Sequence, residues 1–332
     1  MTTIGLCMIV KNEAAVVARC LQSVLPLIHS WTVVDTGSTD NTQQVVQDVL
    51  GHLPGRVHQR PWVDFAHNRT ETFRLNKPYA DYHLVIDADD WLEFPGGHRL
   101  TTLTADQYVL PIHYQGVVFQ RPQLFRAALD WRYEGVVHEY SHCPQAHTTE
   151  ALPGVRYLCS SGQSARSRNP HKFSDDAAVL EKALTADPTN TRYAFYLAQS
   201  YRDAGDFGRA AAAYARRTQM EGWSEEIYIS HLERARMLVL LGSGLGEVRS
   251  ELLEAVQINP LRAEALVELA RLHREAGHWH MAFLFASQAA ALKMPTEGLF
   301  LENASYEWRA LDELALACFY TGRRHSAQVD EI

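Results

Sequence analysis

Three carboxylates follow a short apolar run in the first third of the chain. The run 83–86 (His-Leu-Val-Ile) predicts a buried strand, and Asp87, Asp89 and Asp90 come directly after it. Burying three unpaired carboxylates is prohibitive, so we expect them where the strand leaves its sheet, which is where ligands bind in open α/β sheets. Two carboxylates two positions apart can share a divalent cation with the phosphates of a nucleotide. A solvated acidic turn is the alternative interpretation.

Polar clusters also follow two earlier apolar runs. Lys-Asn-Glu at residues 11–13 comes directly after the run 3–10, and Asp35 ends the run 31–34. Residues 36–41 (Thr-Gly-Ser-Thr-Asp-Asn) have the composition of a turn that leads into a helix. The position of these clusters at strand ends indicates the same chemistry as that of the three carboxylates.

Strand and helix patterns alternate from residue 3 to residue 90. Apolar runs predict strands and apolar residues at helical spacing predict helices, in the order 3–10, 14–25, 31–34, 45–50, 56–59, 66–75 and 83–86. This alternation predicts an α/β domain with a mostly parallel sheet and helices on both faces. Beyond Asp90 the alternation stops. The runs 107–114, 117–119 and 121–126 predict an antiparallel extension on one side of the sheet.

From Ser174 onward the chain reads as helical and contains a repeat. The segments 196–205 and 268–277 align residue for residue, and both end in Ala-Gly. A unit of roughly 34 to 37 residues, with small residues at the helix contacts and Gly in the turn between helices, resembles the tetratricopeptide repeat (TPR). We expect about three to four degenerate units, ending near Arg323, that stack into a solenoid. A non-repeating helical bundle is the alternative.

The composition indicates a soluble protein of two domains. The chain has 332 residues, 46% of them hydrophobic and 21% charged, and a net charge of −8, which gives no global footprint for nucleic acid or anionic membrane. Its five cysteines are scattered, which suggests neither a disulfide framework nor a zinc site. We expect no secretory signal and no membrane span, and therefore a cytoplasmic location.

Taken in order, the clusters at 11–13, 35–40 and 87–90 resemble the motifs of family 2 glycosyltransferases with the GT-A fold. The resemblance covers about residues 3–145, and with the repeats the layout is similar to that of bacterial peptide S-glycosyltransferases. It implies three segments: a Rossmann-like GT-A domain at 1–158, a linker or active-site loop at 159–173, and an all-α TPR-like solenoid at 174–332.

The resemblance implies a pocket for the base of a nucleotide-sugar. Asp35 would accept the imide N–H of uracil, for which a carboxylate is suited because the base offers a donor there. Main-chain groups up to Val10, with Glu13 nearby, would line the same pocket. Arg69 is similar to a family arginine that contacts the base or the diphosphate. Helix-end electrostatics for Glu13 and a surface position for Arg69 are the alternatives.

A metal site is implied at the end of the fourth predicted strand. Asp89 would bind Mn²⁺ or Mg²⁺, and Asp87 would contact the ribose, a metal-bound water or the metal itself. The metal would bridge the diphosphate and stabilise the leaving group. We expect His138 to be the third ligand of the metal or of the diphosphate. Asp90 could assist at this site, but we expect it to be solvated.

An inverting transfer also needs a base that deprotonates the acceptor. Glu139 is the preferred candidate and Glu134 the second, although the segment 131–140 departs from the family's usual motif. Within one strand these two acids would face opposite sides unless Gly135 breaks the register. A polar strand end is the alternative for both.

The segment 159–173 is rich in Ser, Gly and basic residues. Arg166 and Lys172 could close over the diphosphate and neutralise the leaving group, and Arg121 could act in the same way. A solvated linker is the alternative interpretation.

These features predict a metal-dependent, inverting, hexosyltransferase-like enzyme that moves a sugar from a UDP-sugar to a hydroxyl or thiol. The repeats would bind the acceptor or form a homodimer. The acceptor stays open among peptide or protein, glycan or lipopolysaccharide, and a modified base in nucleic acid. A nucleotidyltransferase is one alternative, although residues 11–13 lack the Gly-rich basic loop of that class. A non-catalytic TPR protein with a degenerate GT-A domain is the other.

Overall fold

The computed structural model describes residues 2–97, 102–114, 117–160 and 162–323. The chain divides into two compact units, Met1–Lys172 and Phe173–Ile332. Residues 159–172, within the predicted linker or active-site loop at 159–173, belong to the first of these units.

The first unit begins with the parallel part of a sheet. Its strands are β1 (Ile4–Val10), β2 (Ser30–Asp35), β3 (Gly55–Gln59) and β4 (Tyr82–Val85), in the order β3-β2-β1-β4. The connecting helices are α1 (Val17–Val24), α2 (Thr42–Leu50) and α3 (Phe65–Asn76). Val10 pairs with Asp35, so the ends of β1 and β2 coincide at one edge of the sheet.

Helices cover both faces of the sheet because side chains alternate along β1. Leu6 and Met8 pack in one core cluster with Leu21 of α1 and Val46 of α2. Cys7, between them in sequence, packs on the other side with Phe73 of α3 in a separate cluster. Strands buried on both faces read as continuous apolar runs, which explains why the sequence located them.

The sheet continues beyond β4 as a mixed extension. Further strands are β5 (Trp91–Glu93), β6 (Gln107–Tyr114), β7 (Val117–Arg126), β10 (Thr149–Ala151) and β11 (Arg156–Leu158). The sheet order continues β4-β7-β6-β11-β5, and β7 runs antiparallel to both β4 and β6. The predicted antiparallel extension is confirmed, and the runs 117–119 and 121–126 are one strand.

A separate two-stranded ribbon, β8 (Arg132–Glu134) and β9 (Tyr140–His142), packs beside α3. Trp131 and Cys143 flank this ribbon and are buried with Phe73 and Phe125. The segment 131–140 is therefore not one continuous strand, because a turn separates β8 from β9.

The second unit is helical. It comprises α4 (Lys172–Ala186), α5 (Thr191–Asp203), α6 (Phe207–Thr218), α7 (Ser224–Leu240), α8 (Leu245–Ile258), α9 (Glu264–Glu275), α10 (Trp279–Ala290) and α11 (Ala310–Thr321), the last preceded by a π-helical turn. Gly205, Gly242 and Gly277 follow α5, α7 and α9 with φ of 79°, 71° and 73°. A left-handed residue after a helix is the usual position for glycine, so the predicted repeat of helix, Gly turn and helix is present. The predicted fold class, an α/β domain followed by TPR-like helices, is confirmed.

Within the part of the chain that the structure describes, every helix is too short or too polar to cross a bilayer.

Candidate functional site

Asp35 lies at the end of β2, and one of its two carboxylate oxygens has no hydrogen-bond partner. Its Oδ1 accepts hydrogen bonds from the backbone N–H groups of Gly37 and Ser38, both at 2.8 Å. The residue is 1% exposed, and its Oδ2 has no hydrogen-bond partner. It lines a cleft of about 340 Å³ together with Gln59 and Arg60. A buried acceptor without a donor is costly, so this cleft suits a ligand that presents an N–H group.

The polar clusters after β1 and β2 hold each other in place. Asn12, which adopts a φ of 58°, receives a hydrogen bond from the Thr39 N–H at its Oδ1 (2.8 Å), and its own N–H donates to Ser38 Oγ (2.9 Å). The carbonyl of Val10 accepts from Thr36 N–H at 3.0 Å. Val10, predicted to line the base pocket, thus fixes the loop that shapes the cleft.

Glu13 lies close to the segment that follows β11. Its N–H donates to Thr42 Oγ1 at 2.8 Å, and its two carboxylate oxygens accept from Ala165 N–H at 3.2 and 3.3 Å. Burial, followed by the nearby charge of Asp89, raises the pKa of Glu13 to about 7. Glu13 therefore faces the predicted active-site loop and does not act only at a helix end.

Arg69 connects two acids that lie far apart in the sequence. Its Nη2 is 2.5 Å from Asp87 Oδ1, and its Nε is 2.7 Å from Glu139 Oε1. Arg121 adds a second cation, 4.0 Å from Asp87 Oδ2. Burial raises the pKa of Asp87, but the charges of Arg69 and Arg121 outweigh it, so this pKa lies below its ordinary value. Asp87 is thus held ionised.

These residues line one pocket of about 280 Å³. Its walls also include Gln123, Tyr133, Tyr140, Ser141 and Tyr157. The guanidinium of Arg69, predicted to contact the base or the diphosphate, is engaged by the two acids in this pocket. Sequence reasoning did not single out Tyr133 or Tyr157, and Tyr157 comes from β11, a strand that it did not predict.

Of the two predicted bases, the structure brings only Glu139 to Asp87. Glu134, at the end of β8, accepts from Arg132 Nε and from Tyr140 Oη, both at 2.8 Å, and is absent from the pocket lining. The chain then turns, with a φ of 104° at Gly135 and 55° at His138. This turn breaks the strand register and directs Glu139 to Arg69.

The predicted metal ligands are only partly assembled. Within the described ranges there is no group of three His, Cys, Asp or Glu residues placed to hold an ion, so His138 does not complete a triad with Asp87 and Asp89. The turn at His138 and the pairing of Asp87 with Arg69 account for this difference. Burial, with repulsion from Asp87, raises the pKa of Asp89. A half-buried carboxylate next to another acid fits a hard cation whose other ligands are substrate phosphates.

Asp90 is buried, so the prediction that it is solvated is wrong. It is 5% exposed; its Oδ2 accepts from Tyr157 Oη at 2.7 Å and its Oδ1 accepts from Ser160 N–H at 2.8 Å. Burial, with the charge of Asp87, raises the pKa of Asp90 to about 6. The Tyr157 hydroxyl also accepts from Asp87 N–H at 3.2 Å, so it ties both ends of the acidic turn.

The segment after β11 runs beside these acids. Besides Ser160 and Ala165, it provides Gln163 Oε1, which accepts from Arg19 Nη2 at 3.2 Å. Arg166 lies over the ring of Phe65 at 4.5 Å, at the start of α3, and Lys172 begins α4. The structure thus places part of the predicted loop at the carboxyl edge of the sheet, whereas Lys172 is the first residue of a helix.

Comparison with known proteins identifies the first unit. Residues 6–96 match the family described as glycosyl transferase family 2. The first unit contains a family 2 glycosyltransferase domain. A TPR repeat-containing protein of Synechococcus elongatus is 29% identical over 151 residues, covering 42% of this chain and 35% of that protein. An uncharacterized glycosyltransferase of Rickettsia felis is 34% identical over 92 residues, 28% of this chain and 30% of that protein. The chain spans about a third of the length of these relatives.

Two solved structures are also similar to the chain. S. aureus TarS in complex with UDP-GlcNAc matches 97% of this chain and 93% of its own, with 13% identity and a TM-score of 0.40. MamA matches 49% of this chain and 86% of its own, with 18% identity and a TM-score of 0.37. The predicted combination of a family 2 glycosyltransferase domain and TPR-like repeats is confirmed by the family match and the curated relatives.

Proposed function

We propose that the chain is a metal-dependent, inverting glycosyltransferase that uses a nucleotide-sugar, with a UDP-sugar as the donor. The observation that carries the proposal is the chain of contacts Asp87–Arg69–Glu139 in one pocket, at the sheet edge where Asp35 also lies. Such a transfer requires a residue that binds the nucleotide base, an acidic turn that holds the diphosphate through a metal, and a catalytic base.

Asp35 would recognise the base of the donor. Its Oδ2 is buried and without a partner, and it lines a cleft that also contains Gln59 and Arg60. The imide N–H of uracil would supply the missing donor, whereas cytosine presents an unprotonated ring nitrogen at that position. Uridine nucleotides should therefore bind in preference to cytidine nucleotides.

Asp89, with Asp87 beside it, would hold Mn²⁺ or Mg²⁺ against the donor diphosphate. When bound, such an ion neutralises the charge that develops on the leaving diphosphate. Arg121, whose guanidinium lies 4.0 Å from Asp87 Oδ2, would contribute in the same way. Arg166 is proposed to reach the diphosphate from the segment that Glu13 and Asp90 hold at the sheet edge, and Lys172 to support it from the start of α4.

Glu139 would act as the base. Its carboxylate would take the proton of the acceptor hydroxyl or thiol as the acceptor oxygen or sulfur attacks the anomeric carbon and the bond to the diphosphate breaks. Arg69 orients this carboxylate through a 2.7 Å ion pair while it also holds Asp87. Glu134 is then a structural residue of the β8–β9 ribbon, and His138 a turn residue. As part of the same proposal, the acceptor offers a hydroxyl or a thiol, and the helical unit either binds this acceptor or forms a homodimer.

The proposal is tested by measuring binding and slow hydrolysis of UDP-, GDP- and CMP-sugars, with Mn²⁺ and with EDTA. The wild type is compared with Asp89→Asn and with Glu93→Gln, which changes an exposed acid in β5. We expect Mn²⁺-dependent binding of a UDP-sugar that Asp89→Asn loses and Glu93→Gln keeps. Absence of binding to every donor by folded wild-type protein would refute the donor site.

A further inference from the structure

Asp87, at the edge of the sheet, has a carboxylate that cations of the chain already occupy. Arg69 Nη2 lies 2.5 Å from its Oδ1, and Arg121 Nη2 lies 4.0 Å from its Oδ2. The side chain of Asp87 is still 35% exposed, so an ion from solvent can approach it. A divalent cation and a guanidinium bind the same carboxylate oxygens. Arg69 therefore lies where it must compete with the metal of the proposed function.

Arg69 is held in this position by more than Asp87. Its side chain is 12% exposed, and its Nε donates to Glu139 Oε1 at 2.7 Å. Its guanidinium also lies over the ring of Tyr133, 5.8 Å from the centroid. A buried charge needs such partners. If Arg69 leaves Asp87, its Nε keeps Glu139, and its Nη2 needs one new anion.

The diphosphate of a nucleotide-sugar has the chemistry of that anion. A guanidinium binds phosphate oxygens with the same planar set of donors that it presents to a carboxylate. The same diphosphate brings oxygen ligands to a divalent cation. Arg69 can therefore exchange Asp87 for the diphosphate while Asp87 exchanges Arg69 for the cation, and no charge is left without a partner.

We propose that Arg69 occupies the cation site at Asp87 until the donor binds, so that the metal ion and the nucleotide-sugar enter this site together. The inference rests on the proposed function, because it takes Asp87 and Asp89 as the acids that hold the metal. Arg69 is then a positioning residue in the free protein and a ligand of the diphosphate in the donor complex. The free protein should bind Mn²⁺ weakly, since its apparent affinity falls in proportion to the fraction of time that Asp87 is free of Arg69.

The test measures the Kd of Mn²⁺ alone, from the electron paramagnetic resonance signal of the free ion, with full-length protein and no nucleotide. Arg69→Gln removes the competing cation. The matched control is Arg121→Gln, which removes a cation 4.0 Å from the same carboxylate. We expect Arg69→Gln to bind Mn²⁺ at least about tenfold more tightly than the wild type, and Arg121→Gln to change the affinity less. If Arg69 only supported the fold of the site, its loss would weaken Mn²⁺ binding. A folded Arg69→Gln variant that binds Mn²⁺ no more tightly than the wild type overturns the proposal.

A second pair of proteins separates the release of Asp87 from a general loss of repulsion. Asp87→Asn lacks the carboxylate that Arg69 occupies, so the double variant Arg69→Gln, Asp87→Asn should bind Mn²⁺ no more tightly than Asp87→Asn does. An equal gain from Arg69→Gln with and without this carboxylate overturns the proposal, because it shows that only long-range repulsion was removed. If Arg69→Gln does not fold, Arg69→Lys replaces it, since lysine keeps the charge but cannot contact both acids through one planar group. Arg69→Lys should also bind Mn²⁺ more tightly than the wild type, and an unchanged Kd overturns the proposal.

Binding of UDP, which carries the diphosphate, distinguishes failure of this inference from failure of the proposed function. In the presence of Mn²⁺, Arg69→Gln should bind UDP less tightly than the wild type, because it lacks the guanidinium for the diphosphate. Folded wild type that binds no UDP with Mn²⁺ refutes the donor site, and this inference with it. Wild type that binds UDP with Mn²⁺, together with an unchanged Kd for Mn²⁺ alone in Arg69→Gln, overturns the inference and leaves the donor site standing.

Discussion

At the scale of single residues, Arg69 organises the candidate site. Its side chain is 12% exposed and donates to Asp87 and to Glu139. Two carboxylates directed into one pocket repel each other, and a planar guanidinium between them offsets that repulsion and fixes both orientations. The resemblance to a family arginine located the residue, but its contacts with acids from distant parts of the chain required the structure.

Glu139→Gln should lower the rate of sugar transfer by about 10²–10⁴-fold, because the amide keeps the shape of the side chain but cannot take a proton. Donor binding should change little. The measurement is the transfer rate, together with the donor Kd from calorimetry. Glu134→Gln is the matched control and should retain activity; equal loss in both variants would argue against Glu139 as the base.

Glu13 should make the stability of the protein depend on pH. Its pKa is raised from an ordinary value of 4.5 to about 7 by burial. Between these values the folded protein binds more protons than the unfolded chain, so the free energy of unfolding decreases as pH rises from 4.5 toward 7. Glu13→Gln removes this contribution, so we expect the variant to gain stability relative to the wild type as pH rises.

The measurement is the urea midpoint of both proteins at several pH values from 4 to 8, about half a unit apart. Asp90 titrates in the same direction in both proteins, so their difference isolates Glu13. Glu93→Gln serves as the control for removing an exposed carboxylate. A constant difference between wild type and Glu13→Gln across this range would contradict the prediction.

At the scale of elements, the sequence located strands that are apolar along their whole length. β1, β2 and β4 are buried on both faces, and the polar residues that end them mark the sheet edge. The three-residue strands β8 and β11 have too few residues to show a pattern. The error on Asp90 has the same origin, because the partner that makes its burial possible, Tyr157, comes from β11.

Tyr157→Phe should destabilise the first unit by about 1–3 kcal/mol, since it leaves the buried Asp90 short of one donor. The hydroxyl of Tyr157 is 2.7 Å from Asp90 Oδ2, and the residue is fully buried. Urea unfolding provides the measurement. Tyr79→Phe, at a residue that is 56% exposed, is the control and should change stability little. An unchanged midpoint for Tyr157→Phe would show that the hydrogen bond contributes little.

Replacing two glycines of the helical unit with alanine should change the stability of the protein in opposite directions. Gly277 has a φ of 73° after α9, so Gly277→Ala should cost about 1 kcal/mol. Gly246 is the second residue of α8 and has open space around the position of an added Cβ, so Gly246→Ala should stabilise by about 0.4–1 kcal/mol. Thermal unfolding of both variants tests the assignment, and a change of the same sign in both would contradict it.

At the scale of the whole molecule, the two units carry different kinds of charge arrangement. In the first unit, acids of the sheet edge lie close together, and the pKa values of Glu13, Asp89 and Asp90 are raised. In the second unit, acids and arginines alternate in ion pairs, as between Arg262 and Glu264. Acids with raised pKa values therefore concentrate where the proposed cation and diphosphate would bind, which the net charge of the chain alone does not reveal.

The net charge of −8 predicts how donor binding should respond to salt. A free nucleotide diphosphate is an anion and is repelled by an acidic protein, whereas its complex with Mn²⁺ carries less charge. With EDTA, donor association should be slow and should become faster as salt screens the repulsion. With Mn²⁺, association should be faster and nearly independent of salt. Stopped-flow measurement of association from about 0.02 to 0.5 M NaCl tests this, with Glu93→Gln as control. Salt that slows association in EDTA would instead show that local arginines, not the net charge, govern the approach of the donor.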